Sequence, residues 1–176
     1  LETGYALIGK VIGEGAKRQI LINGLIGPGP GATCSGGHIQ GDLEYQEREL
    51  EKMRLLDPLA SFMGDGHLHP SFMDGCSGGD YSTDEKNVRA SATKEMVFVI
   101  ATVDEPSLFA RRGREPSMRQ NGLKLNFFYM GHASDFEYEG ILPVVTDDER
   151  IDVPQAFSRF VDADPDRVRL DIRSLR

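Results

Sequence analysis

The sequence predicts a mixed α/β domain, on three observations. Its segments run strand, strand, helix, strand, helix and then several strands, which is not the regular alternation of a βαβ chain. Met96 to Val103 is a continuous apolar run, as a strand buried on both faces requires. The length of 176 residues suits one domain with one sizeable core, 1–176.

The elements follow in order. Tyr5 to Ile12 and Arg18 to Ile26 are β-rich runs, and Gly13-Glu14-Gly15 between them signals a hairpin turn. Gly27-Pro28-Gly29-Pro30-Gly31 can be neither helix nor central strand. Gly41 to Leu56 places Leu43, Leu50, Met53 and Leu56 near one face of a helix, which Pro58 ends. Ser61 to His69 reads as a strand, and Pro70 to Tyr81 as a Gly- and Ser-rich loop. Ser82 or Thr83 offers an N-cap, with acidic residues in the first turn, for a short helix through about Thr93. Asp104 to Gly122 is polar and carries Arg111, Arg112, Arg114 and Arg119, as a solvated loop does. Leu123 to Tyr129 and Phe136 to Val145 read as strands joined by a turn at Gly131 to Asp135. Asp164-Pro165-Asp166 opens a final helix to about Leu175.

Composition narrows the function. Hydrophobic residues make up 39% and charged residues 27%, an ordinary globular balance. The net charge of −8 argues against a nucleic-acid binder, which needs clustered Lys and Arg. No apolar run approaches the roughly 20 residues of a membrane span, and no secretory leader is visible. Two cysteines, Cys34 and Cys76, do not make a disulfide framework, so a reduced cytoplasmic setting is expected.

The chemistry concentrates between His67 and Asp80. Residues i and i+2 of a strand share a face, so His67 and His69 present two imidazoles side by side. Pro70 stops the strand, and the Gly-rich segment to Ser77-Gly78-Gly79-Asp80 can bring a carboxylate back to them. Two His and one carboxylate leave one tetrahedral position open, the pattern of a catalytic zinc site, and zinc suits these N and O donors. Zinc in such a site activates water and polarises a carbonyl, and a general base is needed beside it. Glu2, ahead of Thr3-Gly4-Tyr5, is the residue expected to supply it.

His67-x-His69-Pro70, six residues, then Ser77-x-x-Asp80, with the upstream Glu2, resembles the JAB/MPN (JAMM) zinc metalloproteases. Glu2-Thr3-Gly4 with Gly9, the Gly27–Pro30 loop, Tyr45-Gln46 and Gly64-Asp65 resemble the bacterial branch of that family. The resemblance covers 1–103, the metal-site core; 104–176 would hold the remaining strands, the Arg-containing loop and a C-terminal segment. It implies a cytidine-deaminase-like α-β-α fold. It implies that His67, His69 and Asp80 bind zinc, that Glu2 shuttles a proton from the attacking water to the leaving amine, and that Ser77 donates to the oxyanion. The implied substrate is an isopeptide or peptide bond to a ubiquitin-like tail. Activating and conjugating-like enzymes are the implied associates, in some cases within antiphage systems. The chain departs from the pattern at Leu68, where a small polar residue is common, and at Gly66, where the family often has a larger one.

Plainer readings stand beside these. A His-x-His pair alone is usually structural, and Glu2 alone would be an ordinary carboxylate. Asp65 and Asp74 read as loop or supporting groups rather than ligands, His38 and His132 as surface or strand-end residues, and Cys76 as a packing residue. Two other functions stand as alternatives: a non-catalytic MPN-type interaction module with the site vestigial, and an amidase using the same zinc site on small molecules or sulfur-carrier conjugates.

Overall fold

A computed structural model describes residues 4–35, 38–70, 73, 75–103, 117–120, 122–141 and 143. Its centre is a seven-stranded mixed sheet. The strands β1 (Gly4–Ile12) and β2 (Gln19–Ile26) form the expected hairpin, with a short 3-10 turn at Gly15–Lys17 in the connection. β3 (Thr33–Ser35) and β4 (His38–Gln40) make a separate two-stranded ribbon that the sequence did not announce, because three-residue strands carry too little alternation to see. Next come α1 (Leu43–Arg54), β5 (Ser61–Leu68), α2 (Gly78–Ala90) and β6 (Glu95–Val103). Last are β7 (Ser117–Gln120), β8 (Leu123–Gly131) and β9 (Glu139–Ile141). The strand order is β2-β1-β5-β6-β8-β7, with β9 also on β8; β5 and β6 are parallel and every other pair is antiparallel.

Three expectations change. α2 starts at Gly78 rather than after Ser82, and its N-cap is Ser77. A capping box outweighs the poor helix propensity of Gly78 and Gly79. Part of the polar stretch from Asp104 to Gly122 is the strand β7, held by its ladder to β8; 104–116 lie outside the described residues. The second late strand starts at Glu139 rather than Phe136, after a 3-10 turn at His132–Ser134, and is described to Ile141; 142 and 144–145 lie outside the described residues. Glu2 and the expected C-terminal helix lie outside the described residues.

The core has two sides. Phe98, Ile100, Phe128 and Met130 pack with Val88 of α2, while Ala6, Ile8 and Ile26 pack with Tyr45, Leu50 and Met53 of α1. Phe62 touches both groups, so both helices cover one sheet face. Leu7, Val97, Val99, Ala101 and Leu125 point to the other face, as the period of two in a strand demands. Leu68 joins that second group, away from the imidazoles. The Gly- and Pro-rich loop is folded onto the start of α1. Asp42, its N-cap, accepts from Tyr45 N at 3.0 Å and from Gly31 N at 3.0 Å. Among the described residues, no helix is long and apolar enough to cross a membrane.

Candidate metal centre

A bulge in β5 sets which way its histidine, His67, faces. Leu7 pairs with Gly64 but Ile8 pairs with Phe62, so one extra residue sits in β5 against β1. A bulge changes the phase of a strand. Phe62 and His67 are five positions apart, an odd number, yet both face the helices. The bulge uses Gly64 at φ +136°, where a Cβ would stand 1.8 Å from the Val97 carbonyl oxygen. Gly66 also has a packing reason, since a Cβ there would meet the Tyr5 ring at 2.6 Å. This accounts for glycine where the resemblance led one to expect a larger residue.

His67 is the second-last residue of β5 and His69 follows the strand, its N–H donating to the Ala101 carbonyl at 2.8 Å. The two Nε2 atoms lie 2.8 Å apart. Asp80, in the first turn of α2, completes the group: Oδ1 is 3.5 Å from His67 Nε2, and Oδ2 is 3.6 Å from His69 Nε2. One donor atom from each residue falls within 4.8 Å of the others.

The capping box that starts α2 also aims this carboxylate. Ser77 N–H donates to Asp80 Oδ2 at 2.6 Å, and Asp80 N–H donates to Ser77 Oγ at 3.2 Å. Ser77 thus holds Asp80 in place, a role that spacing alone did not suggest. The helix N-terminus favours a carboxylate there.

Further contacts set the rings. His69 Nδ1 is 3.1 Å from the Met73 carbonyl oxygen, which can only accept, so Nδ1 carries the proton and the Nε2 lone pair faces the group. Asp65, on the same strand face as His67, sets a carboxyl oxygen 4.0 Å from His67 Nδ1. Burial, then the nearby charge of Asp80, pushes the Asp65 carboxyl up to about 7. Asp84, one turn beyond Asp80 on α2, is pushed up to about 8 by burial and then by the charge of Asp65; a hydrogen bond from Tyr138 partly opposes this. Burial pushes the Cys76 thiol up to about 12, so it remains a protonated packing group in the apolar cluster under α2.

These donor types suit a metal ion such as zinc. A tetrahedral zinc with nitrogen and oxygen ligands at 2.0–2.1 Å spaces them roughly 3.3 Å apart. Here each imidazole nitrogen meets a different Asp80 oxygen, at 3.5 and 3.6 Å, the imidazole pair is tighter, and one donor atom from each residue lies within 4.8 Å of the others. His69 turns Nδ1 to a carbonyl and Nε2 to the shared point, the arrangement that metal-ligating histidines adopt, and His67 turns Nε2 to the same point with Nδ1 on the side of Asp65, 4.0 Å away. Of the other histidines, His132 is exposed beside Phe136, with ring centroids 4.7 Å apart. Glu2 and Asp74 lie outside the described residues.

No family model matches this chain, and no curated protein does. A solution structure of a protein from Desulfitobacterium hafniense is similar at 17% identity, over 80% of this chain and 77% of that one. Its TM-score is 0.49, too slight a likeness to bear on function.

Proposed function

We propose that this chain is a zinc-dependent isopeptidase or peptidase of the JAMM type. Its substrate is the bond between the C-terminal tail of a ubiquitin-like protein and a target amine, in a cytoplasmic system that includes activating or conjugating-like enzymes. The observation that carries the reading is the meeting of His67 Nε2, His69 Nε2 and the Asp80 carboxylate within 4.8 Å. When bound, zinc supplies Lewis-acid polarisation of an acyl carbonyl and makes water nucleophilic near neutral pH.

The chain's own residues do the rest. Met73 fixes the tautomer of His69 through its carbonyl. Ser77 accepts from Asp80 N–H through Oγ, which leaves its hydroxyl hydrogen to turn toward a developing oxyanion. Gly4 pairs with His67, so the chain enters β1 beside the first imidazole, and Glu2 is two residues upstream of that point. That placement supports Glu2 as the group that takes a proton from water and returns it to the leaving amine.

The test is zinc content together with hydrolysis of a ubiquitin-like protein joined to an amine. Stoichiometric zinc and turnover are expected of the wild type. Asp80→Ala should lose both, whereas Glu2→Ala should keep zinc and lose turnover by about 10² or more. A chain that takes up no zinc at neutral pH refutes the reading. Zinc without turnover on any conjugate indicates an interaction module instead, and turnover confined to short acyl amines indicates a small-molecule amidase.

A further inference from the structure

Behind Asp80 lies a polar pair that the proposed reaction does not use. The Tyr138 hydroxyl donates to Asp84 Oδ2. Cys76 packs against the same apolar cluster as the Tyr138 ring.

Asp84 lies one turn past Asp80 on α2. The hydroxyl that holds it is itself firmly placed. The Tyr138 ring meets Phe98, Phe128 and Tyr81 with centroids 5.8, 5.6 and 5.8 Å away. Neighbouring residues of the same segment grip α2 further along. Tyr81 Oη reaches Glu137 Oε1 at 3.2 Å, and the Arg89 guanidinium lies 3.9 Å over the Phe136 ring. Asp84 is 5% exposed, so its carboxyl cannot turn to water instead.

We propose that Tyr138 is a positioning residue of the metal centre: its hydroxyl holds Asp84, one turn past Asp80 on α2, and so sets where the Ser77–Asp80 capping box presents the Asp80 carboxylate to the imidazoles. The consequence for zinc rests on the function proposed above; the consequence for the helix start does not.

Tyr138→Phe removes the hydroxyl and keeps the ring, and amide hydrogen exchange of the zinc-free protein reads the result. The amides of Ser77, Asp80 and Tyr81 are bonded to Asp80 Oδ2, Ser77 Oγ and the Ser77 carbonyl. They should exchange about tenfold faster in the variant, while those of β6 keep their rates. Zinc affinity should fall by about tenfold or more, as with other supporting groups of metal ligands. Unchanged exchange at the helix start, or equal acceleration there and in β6, overturns the proposal. Local acceleration in a protein that binds no zinc upholds the positioning role and counts only against the zinc reading.

Discussion

Asp84 shows how one buried carboxyl ties this site to pH. In the folded chain its pKa is about 8 against an ordinary 3.8, through burial and the nearby charges of Asp65 and Asp80. Between those values the folded protein holds a proton that the unfolded chain has released. Stability therefore falls as pH rises through that window, by at most about 1.4 kcal/mol per pH unit for one group. Asp65, raised to about 7, adds in the same sense. The zinc-free protein should unfold at lower urea at about pH 8 than at about pH 5, and Asp84→Asn should flatten that slope. Gly64 is the other residue whose identity is dictated at this scale. Gly64→Ala puts a Cβ 1.8 Å from the Val97 carbonyl oxygen at a φ of +136°. Strain and overlap together should cost roughly 3 kcal/mol or more, read as a drop in the denaturation midpoint.

At the scale of elements, the first turn of α2 is both a helix cap and part of the site. Ser77→Ala removes the acceptor for Asp80 N–H and should cost about 1 kcal/mol of stability. It should also weaken zinc binding, because Asp80 Oδ2 then keeps its bond to the residue 77 N–H without the reciprocal one; isothermal titration with zinc would measure this. The position of this helix start was legible in principle. Ser77-x-x-Asp80 is a cap spacing as well as a metal motif, but Gly78-Gly79 inside it reads as loop, and Ser82-Thr83 next to acidic residues competes as a start. The strand β5 was legible in its limits and not in its phase. A bulge leaves alternation intact on either side and shifts only the relation between them, which single-sequence periodicity does not register.

At the scale of the whole molecule, three donor groups are held together by three different parts of the fold. β5 supplies His67, the residues after it supply His69, and α2 supplies Asp80. Filling the site should therefore stabilise the folded chain as a whole. At free zinc about 100 times its dissociation constant the gain is about 2.7 kcal/mol, or roughly 5–10 °C in melting temperature. His67→Ala should abolish that shift, and a chelator should reverse it in the wild type. A melting temperature indifferent to zinc would show that these groups do not act together on a metal.

The mixed α/β class, the hairpin of β1 and β2, the central strand from Met96 to Val103 and the grouping of His67, His69 and Asp80 were all legible in the sequence. Each is written in local periodicity or in a spacing of a few positions, so no distant contact is needed to read it. Only the tertiary structure decided that Ser77 caps a helix and holds Asp80. It alone placed Asp65, Asp84, Cys76 and Tyr138 behind the site, and it alone made a bulge at Gly64 turn His67 toward α2. The physical reason is separation along the chain. Tyr138 and Asp84 are 54 residues apart, and their contact exists only because β5, β6 and β8 stack side by side beneath α2.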